Sequence, residues 1–402
     1  MKNHGIVLAL IVCVFGNTTG EFVIAGILPE IADDLQISIS DAGLLVTAYA
    51  IGMIVGGPLL TAFTVRFSRK PLVVWLLAAS AIGNLVSAAA PNNPVLFTAR
   101  IFTSLATSAF FANAVVIVAA TAPAGKQASA VSKLAFGMNL AMILGAPIGT
   151  FIGTHAGWRA TFLAIALCGA AGWLLVIRLV PNLARESSRT SVRTEWRVFR
   201  SRDVLIAIAI TAVGNAGQLA VFTYLSPLLT SVSGFAEEAV ALLLLAYGVG
   251  ATIGNFVGGR LYDRAPMPSQ VSLLASLAAC LLLFGLFGSD PFAAAVLVIL
   301  MGALAFSVIP GMQTRVFATA RSAPTLAIAV NASAYQLAAA LAAWWGGAVI
   351  HGGFGLRSIY FVGACVTIAG VLLSGYVWLK DRRMPRASEP SGSRLPTGRA
   401  GM

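Results

Sequence analysis

Twelve apolar stretches follow one another along the chain, at about 5–29, 42–64, 72–90, 94–121, 127–153, 158–180, 204–231, 239–259, 270–288, 291–314, 325–350 and 356–379. Each is near the length of about 20 mostly apolar residues that a helix needs to cross a bilayer. The breaks carry Pro, Gly or charge, as in "SRKP", "APNNP", "APAGKQ", "GSDP", "RSAP" and "HGGFG", and these residues stop helices. The expected fold class is all-α integral membrane, with twelve transmembrane helices. Composition excludes a soluble protein. The 402 residues are 58% hydrophobic and 10% charged, against roughly 25% charged in soluble domains.

The net charge of +12 describes topology. One set of loops holds Lys2, then Arg66, Arg69 and Lys70, then Lys126, Arg178 to Arg202, Arg260 and Arg264, Arg315 and Arg321, and Lys380 to Arg399. The alternate loops hold Glu30, Asp33, Asp34, Asp41, Glu237, Glu238 and Asp290, with only Arg159 and Arg357 basic. The positive-inside rule puts the first set in the cytoplasm. Both termini then fall on the same side, as an even helix count requires. The first segment follows Lys2 without a convincing cleavage site and reads as a helix that stays in place.

The expected division is a six-helix bundle over 1–180, a basic cytoplasmic linker over 181–203, a second bundle over 204–380 and a disordered cytoplasmic tail over 381–402. The expected place is the inner membrane, as a multi-pass monomer in contact with lipid. No basic stretch carries the interleaved aromatics of a single-strand binder, so no nucleic-acid partner is expected. Cys13, Cys168, Cys280 and Cys365 lie far apart without ligand or disulfide spacing and read as small buried residues. No metal-ligand cluster, paired carboxylates or Walker-type loop is found in the sequence. The expectation is therefore no metal, no cofactor and no enzyme.

"TAFTVRFSRK" follows segment 2 and "GRLYDRAP" follows segment 8, with Arg66 and Arg264 in matching places. Two similar halves about a midplane cavity make the architecture of alternating-access transporters. From about residue 5 to 380 the chain resembles the major facilitator superfamily, in its twelve-helix drug:proton antiporter branch. Gly259, Asp263 and Arg264 match the family's Gly-x-Leu-x-Asp-Arg loop motif. The first copy departs from it, with Thr61, Phe63 and Val65 at the Gly, Leu and Asp positions, while Arg66, Arg69 and Lys70 remain. Arg100 in "LFTARIFTSLA" matches the family's embedded arginine. Gly145, Pro147 and Gly149 in "GMNLAMILGAPIGTFIG" match its antiporter motif. "GWRATF", "VFTYLSPLL" and "IPGMQTRV" are similar to the arabinose-efflux-permease-like group, which includes exporters of sugars, purine nucleosides and chloramphenicol. The resemblance implies secondary active export of a small organic molecule by proton antiport with alternating access. It also implies gating at Arg66, Arg69, Gly259, Asp263 and Arg264. The alternatives are a sugar or nucleoside exporter, an uncoupled facilitator, or a membrane sensor without transport.

Glu21 is the one acidic residue read deep inside a segment. A charge at that depth is costly unless it faces a cavity or a partner, which makes Glu21 the candidate proton-coupling group. Arg100 opens segment 4 and stays charged, so it needs water or a counter-charge, and Glu21 is the candidate. Asn17, four residues before Glu21, shares its helix face. Ser104 lies in a stripe following Arg100, and Asn113 is a further polar point. Asn215, Gln218 and Phe222 in segment 7 follow i, i+3, i+7, and Asn331, Tyr335 and Gln336 mark segment 11. Each of these is either interhelical glue or a substrate contact. Together they are the candidate substrate-binding set.

Overall fold

The structure, a computed structural model, describes residues 2–64, 67–122, 127–181, 201–319 and 324–383. The described chain is helical throughout, and twelve helical spans are long and apolar enough to cross a membrane. Helices suit this setting because every backbone group is bonded within its own segment. Their bounds follow the sequence-based ones closely. Span 2 is Ile39–Thr64, span 4 Asn93–Thr121 and span 6 Trp158–Leu179.

Several spans are not continuous helices. Span 1 is Lys2–Phe22 followed by Ile24–Leu35. At the join the Gly26 amide turns back to the Val23 carbonyl at 2.9 Å, Ile27 leaves helical geometry, and Pro29 has no amide hydrogen to continue the ladder. Span 7 breaks at the matching place. Arg202–Thr223 ends at Tyr224, and Leu225–Pro227 leads into a widened turn, Leu228–Val232. Span 5 runs Gln127–Leu140, widens over Ala141–Gly145, and resumes as Ala146–Ala156 with Pro147 in its first turn. Span 10 is Pro291–Ser307 and Ile309–Thr319.

Expectations on boundaries change at several spans, spans 1 and 10 running past theirs to Leu35 and Thr319. Span 8 runs Glu237–Arg264, so Gly259, Asp263 and Arg264 form its last turns rather than a loop, the first Pro being Pro266. Span 12, Ser358–Arg383, takes in the start of the expected tail, where Asp381 accepts from Arg315 at 3.1 Å. Span 7 takes the last two linker residues, and Asp203 pairs with Lys380 at 2.9 Å. Arg66, residues 182–200 and residues 384–402 lie outside the described residues. The cysteines also differ. Cys13 and Cys280 are buried, Cys168 is half-buried and Cys365 is exposed on a helix flank where lipid lies.

Packing is asymmetric along the membrane normal. At the Asp41 end one apolar core joins both halves, with Val23, Leu28 and Leu45 packed together with Tyr224, Leu228 and Tyr247. At the opposite end the cores of the two halves stay separate. One, around Leu10, Leu77 and Phe110, belongs to the first half, and two, around Leu274, Val308 and Met312 and around Val204, Ala207 and Val316, belong to the second. The joined end is sealed by polar contacts as well. Ser40 Oγ donates to the Gly347 carbonyl at 2.6 Å and Thr47 Oγ1 to the Ala340 carbonyl at 3.1 Å, tying span 2 to span 11, Pro324–Val349, across the halves.

Candidate functional site

The break in span 1 places Glu21 in the last turn of its first helix, facing span 11 (Pro324–Val349). Gln336 Nε2 donates to Glu21 Oε1 at 2.7 Å. This is a hydrogen bond between the two halves. The pair lines a cavity of about 30 Å³ with Phe22, Tyr49, Phe222, Thr223 and Tyr335. That is room for water but not for a drug-sized solute, which needs several hundred Å³. Phe22 meets Phe222 edge-on at 5.9 Å, and Phe222 meets Tyr247 at 5.0 Å, so rings from both halves close the cavity. The geometry rests on the paired breaks at Val23 and Tyr224, because discontinuous helices in matching places commonly frame a midplane site.

Arg100 is fully buried. Its Nη1 donates to the Gly20 carbonyl at 2.8 Å, and its guanidinium lies 4.3 Å from the centre of the Tyr49 ring. No ion pair joins it to Glu21; the ion pairs among the described residues are Arg159–Asp34, Arg315–Asp381 and Lys380–Asp203. The arginine therefore holds the backbone next to Glu21 and not the carboxylate. A guanidinium fits this place because it combines directed donors with a face that stacks on a ring.

The other sequence candidates separate into groups. Phe222, Tyr335 and Gln336 line the cavity with Glu21. Gln218 is buried beside them, its Oε1 3.4 Å from the Tyr247 hydroxyl. Asn17 is taken up by its own bundle, with Oδ1 accepting from Ser80 at 2.6 Å and Thr107 at 2.9 Å while Nδ2 donates to the Cys13 carbonyl. Ser104 donates to the Ile101 carbonyl and sits where Gly52 brings span 2 against span 4. Asn215 donates to the Thr211 carbonyl and to Met312 Sδ, and Asn331 accepts from Thr211 at 2.9 Å. Asn113 accepts from Arg69 at 2.8 Å, which joins a candidate binding residue to a candidate gating residue. That pair is far from Glu21, since thirteen residues beyond Arg100 is about 20 Å along a helix.

Gly145 lies against Thr19, and Gly149 against Val23, so the antiporter motif seats span 5 on both sides of the break in span 1. On its other flank, span 5 meets Gly248 of span 8, where a Cβ would stand 2.8 Å from the Met142 carbonyl oxygen. Pro147 starts the helix that follows the widened turn. The cavity residues Tyr49, Thr223 and Phe22 were not singled out in the sequence. Tyr49 had a signal, a hydroxyl-bearing ring in the middle of "VTAYAIGM".

A second polar cluster closes the Asp41 end of the first half. Asp34 Oδ2 accepts from Arg159 and from Trp158 Nε1, Arg159 Nη2 donates to the Ala90 carbonyl at 3.0 Å, and its guanidinium stacks on Trp158 at 4.3 Å. The Arg159 and Trp158 donors hold the Asp34 carboxyl below the usual carboxylate range.

Twelve spans in two bundles, broken helices at matching places and a small cavity between the halves define a membrane transporter. The chain belongs to the Major Facilitator Superfamily, whose family model matches residues 10–341. It is 37% identical over 385 residues to the inner membrane transport protein YdhP of Escherichia coli K12, covering 96% of this chain and 98% of that one. It is 34% identical over 341 residues to a chloramphenicol resistance protein of Streptomyces lividans, covering 83% and 85%. Its fold matches a bacterial homologue of the human lysosomal transporter Spinster at a TM-score of 0.75 and 14% identity, covering 96% of this chain and 99% of that one. The protein is thus a multi-pass inner-membrane transporter of small molecules.

Proposed function

We propose that this transporter exports a small, uncharged organic molecule in exchange for protons, with Glu21 as the proton carrier and alternating access as the mechanism. The observation that supports it best is the inter-half bond from Gln336 to Glu21. An ionisable group at the junction of two moving bodies can link proton binding to their relative position, because a ligand shifts a two-state equilibrium only by its differential affinity for the two states. With the basic loops in the cytoplasm, the sealed Asp41 end faces outside. Glu21 then takes up a proton when that end opens. Arriving substrate displaces the proton to the cytoplasm when it has closed again.

One carboxylate among rings and amides suits a neutral solute better than a dication, whose charges would need more than one acidic partner. The resistance-protein relative supports antibiotics of the amphenicol kind as first compounds to test, with sugars and nucleosides beside them. The test is accumulation of such compounds in a host lacking its own pumps. Expression is expected to lower accumulation, and collapsing the pH gradient is expected to restore it. Export that continues unchanged after the collapse would establish uncoupled transport instead.

A further inference from the structure

We infer that Gln336 is the latch of the sealed face, a positioning residue whose amide holds Glu21 across the seam while the Asp41 end is closed. The inference rests on the reading that the halves alternate, and it assigns the seam's lock to one side-chain pair. Three features carry it.

First, the bond is direct and joins the halves. Nε2 of Gln336 in span 11 reaches Oε1 of Glu21 in span 1 at 2.7 Å. Gln336 itself is buried, so few alternative partners are within its reach. Hydrogen bonds to a charged group in such surroundings are about twice as strong as neutral ones. Second, the pair sits at the inner limit of the sealed region. Beyond it toward the Asp41 end come the Thr47–Ala340 and Ser40–Gly347 bonds. Tyr224 also packs there, its hydroxyl donating to the Ala343 carbonyl at 2.7 Å. Those bonds involve neutral hydroxyls and main-chain carbonyls, which do not titrate near neutral pH. The Glu21–Gln336 pair alone among these seam bonds contains a group whose charge can change. Third, Arg100 makes no hydrogen bond to the carboxylate, its Nη1 donating to the Gly20 carbonyl while Nε and Nη2 have no partner. The charged and titratable groups facing Glu21 are Arg100, Tyr49 and Tyr335, so Gln336 is the group that reports Glu21 to the other half.

The test follows opening of the seam directly, independent of substrate. The four native cysteines are replaced by alanine and a reporter cysteine is placed at Ala343, which is fully buried in the sealed face. Purified protein is reacted with a polar maleimide. Gln336→Leu is expected to raise the labelling rate about tenfold, the scale of a lost hydrogen bond to a charged partner. Exchanging the partners, Glu21→Gln with Gln336→Glu, restores donor and acceptor with the carboxylate moved to span 11. This double variant is expected to label within about twofold of the parent. Gln336→Asn, one methylene short, is expected to fall between the two, and it serves in place of Gln336→Leu should that variant fail to fold. Labelling of Gln336→Leu and Gln336→Asn at the parent rate overturns the latch, as does an exchanged pair that labels as fast as Gln336→Leu. Proton coupling is judged separately by gradient-driven transport in Glu21→Gln. A latch that passes while that variant still concentrates substrate leaves Gln336 in its role and removes the proton from Glu21.

Discussion

Spans 1 and 7 are counterparts in the two halves, and they share a design. Each is interrupted about two-thirds of the way along, at Val23 and Tyr224, and each buries an asparagine roughly two turns before the break. They differ in charge and in how they are held. Span 1 carries Glu21 and is supported beside it by Arg100. The matching stretch of span 7 carries Gln218 and no charge. Asn17 of span 1 gathers hydroxyls from two neighbouring helices, whereas Asn215 of span 7 bonds mainly within its own helix and to Met312. Span 7 instead approaches its neighbour closely, with Gly217 against the backbone of Gly363 in span 12. One half holds the titratable group in a polar network. The other provides a closely packed neutral face against which it works.

This difference can be broken from either side. The largest effect is expected at Arg100. Arg100→Ala removes the donor that holds Gly20 and the ring stacking on Tyr49, displacing Glu21. Transport is expected to fall more than tenfold, the scale set by small misplacements of a working group. Arg100→Lys keeps a charge and a donor without the planar fork and should retain a measurable fraction of the rate. Equal loss in both variants, measured as initial transport rates, would mean that only the guanidinium shape matters.

Next come the glycines. Gly217→Ala puts a methyl into the Gly363 carbonyl and against Thr367 Oγ1; the hydroxyl can turn away but the main-chain carbonyl cannot, and the change is expected to cost about 2 kcal/mol. Gly16→Ala in span 1 meets Cys168 Sγ at 3.3 Å, a side chain that can rotate, and should cost under about 1 kcal/mol. The asparagines should rank in the opposite order between the halves. Asn17→Ala is expected to cost about 1.5 kcal/mol and Asn215→Ala about 0.5 kcal/mol, within the range of polar contacts between membrane helices. Thermal unfolding in detergent measures all four. If Asn215→Ala costs as much as Asn17→Ala, the two halves are held alike.

Much of this was readable in the sequence. Span number, bounds and the place of Glu21 follow from apolar length and from the cost of a charge in hydrocarbon, which depend on local composition. The pairing of Glu21 with Gln336 was not readable. It joins residues 315 positions apart and depends on which face of span 11 turns toward span 1. The same limit hid Tyr49 and Thr223, whose side chains reach the cavity only because of how spans 2 and 7 are rotated. Asn113 is a different case. Helical rise alone separates it from Arg100 by about 20 Å, so its distance from the site was available by arithmetic. The ends of spans 8 and 12 ran past the expected boundaries because charged residues end hydropathy without ending a helix. Only Pro266 stops span 8.

The smallest effect is expected at the Asp34–Arg159 clasp, which stands at the exposed rim of span 1. Both side chains are nearly half exposed, so Asp34→Asn should cost well under 1 kcal/mol at neutral pH. The carboxyl is held below its usual range in the folded protein. Its contribution is therefore present above the ordinary carboxylate pKa and is lost as pH falls through the lower folded value. Parent and variant melting curves should differ slightly at pH 7 and converge in acid below the usual carboxylate range. A difference that grows with acidity would assign the clasp to Trp158 and Ala90 instead.

In the proposed mechanism the charge borne by Glu21 of span 1 alone carries the coupling. Glu21→Gln keeps shape and hydrogen-bonding capacity and removes titration. The direct measurement compares parent and variant in reconstituted vesicles with an imposed pH gradient and an amphenicol, sugar or nucleoside found to be exported. The parent is expected to concentrate the compound against its gradient, while Glu21→Gln binds it and exchanges it only downhill. A variant that concentrates it as well as the parent would contradict the account and make Glu21 a structural anchor.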